Sequence, residues 1–327
     1  MASVRVAGHS IVVPEVVPAT SSWVGHVWFK RAAESLFSVL VPSDCRICGE
    51  PLLNISALPV CPACLDQMRP IRGKVCSVCG ERVLSIYAEP DDDGLRRCPV
   101  CRRVDRRFTC AVAYGSYDGG LRELIHLLKY NGVRPAAGVL GRMLAEAVAS
   151  IKPYFVQTRE VQMLEQARIL VIPVPLFKGK HHQRGFNQAE LIARRAIKLY
   201  PKRERFELAP NLLLRTRETQ SQIGLTSHQR RENMRGAFAV PRASEVIGRE
   251  VLLVDDVYTT GTTVSECARM LRKAGAAQVW VATVARTLKL ASKYQEIDEE
   301  PGDHGFKVSE FKVSKSVDIQ SFAPLKP

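Results

Sequence analysis

Two groups of residues in this 327-residue chain have types and spacings that could do chemistry. The first is the stretch VLLVDDVYTTGTT at 251–263. Its four apolar residues read as a short buried strand, and Asp255 and Asp256 follow at once. Thr259, Thr260, Gly261, Thr262 and Thr263 then lead into an amphipathic helix on Val264, Cys267, Ala268 and Leu271, with Gly275 where a C-terminal cap belongs. A loop that opens a helix offers unpaired backbone N–H groups and the positive end of the helix dipole, which suits a phosphate. The Thr hydroxyls add donors, and Gly261 lets the backbone approach closely. The two carboxylates can accept hydrogen bonds from sugar hydroxyls or help hold a divalent cation. The stretch reads as a site for a sugar phosphate. An acidic pair alone would equally suit the solvated tip of an ordinary strand–helix corner; the Thr/Gly loop beside it makes the pattern more specific. Rival phosphate loops are missing: there is no G-x-x-x-x-G-K-[ST], and no G-x-G-x-x-G after a predicted strand.

The second group is the cysteines. Eight of the ten fall into four C-x-x-C pairs, Cys45/Cys48, Cys61/Cys64, Cys76/Cys79 and Cys98/Cys101, and Cys110 and Cys267 lie outside them. Thiols paired at this spacing are metal ligands more often than disulfide partners in a chain that is not secreted. Eight ligands make two Cys₄ sites, the tetrahedral preference of Zn²⁺. With no position left open for water the sites are structural, and metal binding supplies folding free energy to a turn-rich segment poor in apolar residues. The spacers favour pairing of neighbours, Cys45/Cys48 with Cys61/Cys64 and Cys76/Cys79 with Cys98/Cys101, as a tandem zinc ribbon. An interleaved cross-brace is the alternative. A redox C-x-x-C is the competing chemistry, but one pair would suffice for it and four are present.

Lys plus Arg exceed Asp plus Glu by 47 − 33 = 14, and residues 176–235 alone carry 14 basic and 5 acidic side chains. Such a surface attracts pyrophosphate, nucleotides or nucleic acid alike. No apolar run is long enough to span a membrane, and the N-terminal stretch lacks the features of a secretory signal. The expectation is a cytoplasmic protein.

The elements that must position these residues alternate between strand and helix, which gives an α/β fold with a parallel sheet flanked by helices. A strand is predicted over 108–117, a turn at 118–120, a helix over 121–131 with Lys129 near its C-terminus, and a second helix over 136–151. The helix dipole alone favours a Lys there; Lys129 is also a candidate phosphate contact. Residues 167–175 form a buried strand stopped by Pro173 and Pro175. A basic loop with Lys178, Lys180, His181, His182 and Arg184 follows, then a helix capped by Asn187. Guanidinium binds phosphate oxygens bidentately, so Arg184 is a candidate pyrophosphate contact. The His pair lacks acidic or Cys neighbours and reads as solvated. The polar, basic stretch 212–238 contains the capping box of a short helix at Thr226 and Gln229, and is either an active-site flap or a surface helix–loop. A buried strand over 278–285 completes the sheet. Residues 23–40 have a helical pattern, the run 102–107 is a basic connector, and 291–327 is aperiodic and reads as a disordered tail. The expected organisation is an extension with a short helix (1–40), a double zinc ribbon (41–105), the α/β domain (106–290) and the tail (291–327).

The stretch 251–263 resembles the 5-phosphoribosyl-1-pyrophosphate (PRPP) motif of type I phosphoribosyltransferases. The order of tandem C-x-x-C pairs, LIHLLKYNG, IPVP with RGFNQAE, RRENMRGAF and VLLVDDVYTTGTT is similar to the ComF family over residues 40–287. That resemblance implies a type I phosphoribosyltransferase-like domain with an N-terminal zinc ribbon. It implies that Asp255 and Asp256 contact the ribose hydroxyls of PRPP, that residues 259–263 hold its 5′-phosphate, and that Mg²⁺ accompanies it. Some members act in DNA uptake. Two functions are therefore expected: a Mg²⁺-dependent phosphoribosyltransferase acting on a nitrogen acceptor, or an accessory of the DNA-uptake machinery that binds single-stranded DNA and uses the pocket as a nucleotide or phosphate sensor.

Overall fold

The computed structural model describes residues 44–52, 56–83, 94–151, 168–200, 202–219 and 226–288. The helix expected over 23–40 and the tail expected beyond 290 lie outside them. Five parallel strands form the central sheet: β1 (Cys110–Ser116), β2 (Ile169–Pro173), β3 (Phe206–Leu208), β6 (Glu250–Tyr258) and β7 (Gln278–Arg286), in the order β1-β7-β6-β2-β3. A two-residue antiparallel pair, β4 (Leu214–Arg215) with β5 (Phe238–Ala239), stands apart. The expected parallel α/β architecture is therefore present.

Strand alternation sorts the core into two layers. Leu252 and Val254 of β6 face one layer, and Val251 and Leu253 face the other. The first layer is covered by α3 (Gly119–Tyr130), α4 (Ala136–Ala149) and α6 (Gln188–Leu199). The second is covered by α8 (Thr262–Lys273) and by α7 (Ser227–Met234) with the β4/β5 pair. These helices present the apolar stripes the sequence requires: Leu121, Leu124, Ile125 and Leu128 of α3 are buried, as are Val264, Cys267, Ala268 and Leu271 of α8.

Two differences from the sequence reading have clear causes. The acidic pair does not end its strand, because β7 goes on pairing with β6 through Asp255↔Thr283, Val257↔Ala285 and Tyr258↔Arg286. The basic loop after β2 is largely helical, α5 (Lys178–Arg184), closed by Gly185 in the left-handed region. Six polar residues and a glycine, with no apolar stripe, give no periodic signal for it. The expected caps are in place. Asn187 Oδ1 accepts from Ala189 N at 3.0 Å, and Thr226 and Gln229 form a reciprocal capping box.

The cysteine segment contains a structural repeat. In each half a tight turn closes with a glycine in the left-handed region, Gly49 or Gly80, whose N–H bonds the first cysteine's carbonyl at 2.8 Å. In each half a one-turn helix with proline at its first position, α1 (Pro62–Asp66) or α2 (Pro99–Arg103), carries the second pair. The halves straddle the edge strand β1. Cys45, Val60, Cys64 and Met68 join the first layer, and Cys76, Cys79 and Cys98 join the second. The segment between them and the second turn bond the free edge of β1, through Ile71 N to Tyr114 O at 2.6 Å and Ala111 N to Val78 O at 2.8 Å.

Candidate functional site

In an open parallel sheet, ligands bind at the carboxyl ends of strands where successive connections leave to opposite faces. Here that point is the boundary between β2 and β6: α6 follows β2 onto one layer, and α8 follows β6 onto the other. β2 ends at Pro173, opposite Val254. Asp255 and Asp256 therefore emerge just beyond the end of their neighbour, in the crevice.

Successive strand residues point to opposite faces, so the two acids have different surroundings. Asp256 turns toward the first layer. It is 4% exposed, and its Oδ1 meets Lys129 Nζ at 2.8 Å. Its Oδ2 is buried with no hydrogen-bond partner among the described residues. Burial alone would lower the Lys129 ammonium, but the charge and hydrogen bond of Asp256, with Asp255 beyond, hold it above its usual value. Asp255 turns toward the second layer, near Cys267 and Arg215. Burial first, then the Asp256 charge, pushes its carboxyl up to about 7, while Lys129, the Asp256 N–H and Arg215 oppose the shift. Burial, followed by the Asp255 charge, also drives the Cys267 thiol up.

The phosphate-type loop follows. Gly261 is the N-cap of α8 at φ +74°, and the helix start has no side-chain cap, which leaves its first N–H groups for a ligand. A Cβ at Gly261 would stand 2.1 Å from Tyr258 Oη, so glycine is required on two grounds. Thr260 and Thr262 hydroxyls lie 2.9 Å apart, Thr259 is exposed, and Thr263 is half-buried on the first turn. Arg184 ends α5. Its guanidinium lies over the Tyr130 ring at 5.3 Å and donates to Gln188 Oε1 at 2.9 Å, beside the C-terminal end of α3 that carries Lys129. His181 and His182 are exposed on α5.

Arg215 was not singled out from sequence. It sits in β4 with Phe238 against its guanidinium at 5.8 Å and bonds Thr219. Burial lowers it below the usual arginine value, against the pull of Cys267 and Asp255. Its only sequence signal is an arginine directly after the apolar run Leu212–Leu214.

The eight paired cysteines gather as Cys45, Cys48, Cys61 and Cys64, and as Cys76, Cys79, Cys98 and Cys101, the neighbour pairing that the spacers favour. A tetrahedral Zn²⁺ with bonds of about 2.3 Å sets its sulfurs roughly 3.8 Å apart. Cys45–Cys64 is 3.9 Å, Cys48–Cys61 3.7 Å and Cys79–Cys98 3.7 Å. These distances suit a shared metal and exclude disulfides. Cys61 N donates to Cys45 Sγ and Cys98 N to Cys76 Sγ, each at 3.3 Å, bonds that favour thiolates. Burial opposes this at Cys45, yet backbone N–H groups push its thiol down to about 6. Both clusters could hold zinc.

Comparison with known proteins identifies the family. "Competence protein F" of Haemophilus influenzae is 31% identical over 238 residues, spanning 72% of this chain and 93% of that protein. The chain belongs to the ComF family. "DNA utilization protein YhgH" of Escherichia coli O6:H1 is 31% identical over 248 residues, covering 76% of this ComF chain and 99% of the relative. "Competence protein ComFC" of Bacillus subtilis is 27% identical over 229 residues, covering 70% and 84%. The phosphoribosyl transferase domain family matches residues 208–315, which include β6, the loop and α8. This ComF chain thus carries a phosphoribosyltransferase-type domain behind a cysteine module. Among the described residues, no helix is long and apolar enough to cross a membrane.

Proposed function

We propose that the crevice binds PRPP with Mg²⁺ and transfers its phosphoribosyl group to a nitrogen acceptor. The observation that carries this reading is the meeting, at one switch point, of an uncapped helix start with a buried carboxylate whose second oxygen has no partner. Residues 259–263 hold the 5′-phosphate with backbone N–H groups and Thr hydroxyls. Asp255 and Asp256 accept hydrogen bonds from the ribose hydroxyls, and Lys129, 2.8 Å from Asp256 Oδ1, keeps that carboxylate aimed. Arg184 faces the pyrophosphate. The acceptor's lone pair forms a bond to ribose C1 as the C1–O bond breaks, its electron pair leaves on pyrophosphate, and the acceptor loses its proton to solvent. Bound Mg²⁺ supplies charge neutralisation on the pyrophosphate oxygens. The residues contribute orientation and electrostatic stabilisation. The two cysteine clusters hold structural Zn²⁺.

Calorimetric titration with PRPP and Mg²⁺ tests the reading. Micromolar, Mg²⁺-dependent binding is expected for the wild type and its loss in Asp255→Asn/Asp256→Asn; a folded, zinc-loaded wild type that binds nothing rejects it. A second reading is contact with single-stranded DNA, favoured by the exposed cations Lys178 and Lys180 of α5 and Arg231 and Arg235 at α7. It predicts a binding constant that falls steeply with salt.

A further inference from the structure

The phosphate loop is held by a residue far away in sequence. Arg106 Nη1 donates to the Thr260 carbonyl at 2.9 Å, across 154 residues. Arg106 lies in the connector that leaves α2, five residues beyond Cys101, and its side chain is half-buried. A second route runs beside it. Tyr258, 3% exposed, lies directly beneath Gly261 and packs edge-to-face on Phe108, with centroids 6.5 Å apart at 85°. The Arg286 guanidinium covers its ring at 4.8 Å. Arg286 pairs with Glu81 at 2.8 Å and donates to the Cys79 carbonyl, both in the second cysteine turn. The Glu81 carbonyl in turn accepts from Cys76 N at 2.8 Å.

Each route begins on the second cluster and ends on the loop, one at Thr260 and one at Gly261. The loop must aim several donors at one phosphate. Left free, it would lose backbone entropy on each binding event; held at Thr260, it has lost that freedom beforehand. The connector of basic residues, which from composition reads as a solvated face, contributes one arginine that is turned inward for this contact.

We propose that Arg106 is a positioning residue for the phosphate loop, and that the second cysteine cluster sets ligand affinity through it. The proposal rests on reading residues 259–263 as the phosphate site. Its physical core, that metal in the second cluster keeps the loop ordered, is measurable without any ligand.

The test compares full-length wild type with Arg106→Ala, Arg106→Lys and the exposed Arg103→Ala, each checked for its zinc content. Hydrogen exchange at residues 260–263 is followed without ligand, and PRPP–Mg²⁺ affinity is measured by calorimetry. Arg106→Ala is expected to exchange faster across the loop and to bind about tenfold more weakly, the worth of one hydrogen bond to a charged donor. Arg106→Lys recovers part of both, and Arg103→Ala matches wild type. Partial chelation, with the freed thiols located by alkylation and mass spectrometry, loosens the loop in molecules that have lost the second-cluster metal and not in those that have lost only the first. Unchanged loop exchange in Arg106→Ala, or in molecules stripped at the second cluster, overturns the proposal. So does an equal loss of affinity in Arg103→Ala, which would reduce Arg106 to bulk charge. If wild type binds no PRPP while Arg106→Ala still loosens the loop, the brace stands and the phosphoribosyl reading fails.

Discussion

The two layers of this molecule are built to one plan and carry it out differently. Each receives one half of the cysteine repeat and one of the two adjacent carboxylates. On the first layer the cluster is partly open, with Cys48 exposed, and it packs over the start of α3, where a Cβ at Gly120 would stand 3.3 Å from Met68 Cε. The far end of that helix supplies Lys129, so Asp256 has a fixed counter-ion. On the second layer Cys76, Cys79 and Cys98 are all buried, and the module reaches the 259–263 loop directly through Arg106 and by way of Tyr258 through Arg286. Its carboxylate, Asp255, has among the described residues no ion pair as close as that of Asp256 and is held against ionisation. One layer fixes charge in advance, and the other fixes shape and leaves charge to the ligand.

The largest expected effect separates the two clusters. If the clusters hold zinc as proposed, Cys98→Ser removes a buried ligand and should cost more than about 4 kcal/mol, enough to prevent folding, whereas Cys48→Ser, at the exposed corner, should cost roughly half as much. Chemical denaturation with a metal count for each variant would show this, and equal costs would erase the contrast.

The carboxylates should differ in sign. Lys129→Met leaves Asp256 buried without its partner and should destabilise by about 3–5 kcal/mol, most of it recovered by adding Asp256→Asn. Asp255→Asn should leave the ligand-free protein unchanged or more stable at pH 8, because it deletes a charge that burial disfavours. Urea unfolding of the three variants decides the point; a loss in Asp255→Asn comparable to that in Lys129→Met would contradict it. Gly261→Ala comes next, at about 1–3 kcal/mol for the left-handed backbone, with loss of PRPP binding as the Cβ displaces Tyr258.

The remaining effect is graded with pH. A carboxyl raised from 3.8 to about 7 stays protonated in the folded chain while it ionises in the unfolded one. Its contribution is therefore lost as pH climbs between those values and is flat above them. Ligand-free stability should decline over that window, and the decline should flatten in Asp255→Asn. PRPP–Mg²⁺ affinity should rise over the same window.

Much of this was legible because long elements have periods. The apolar stripes of α3 and α8 and the buried runs of β2 and β7 state their type and nearly their limits, and that of β6 states its type. β3, with three residues at the sheet edge, and the two-residue β4 and β5 are too short to show alternation. The continuation of β6 past its acids depends on β7, a partner that local pattern does not contain. The clusters followed from spacing, and C-x-x-C-G-E, repeated at Cys45 and Cys76, already held the turn that both halves share. What no local pattern could give is which face each half covers. The Lys129–Asp256 pair, the approach of Arg215 to Asp255 and the bond from Arg106 to Thr260 all join residues distant in the chain and depend on that assignment.

The cysteine module also does something for β1 that is unrelated to ligand. A parallel strand at the margin of a sheet displays unpaired N–H and C=O groups to any extended segment that comes near. Here Ile71 and Val78 occupy those groups, and the turns on either side keep them in place. A chain in which these turns came loose would present an open template of buried-type residues. Its first symptom would then be self-association into aggregates, ahead of any measurable change in chemistry.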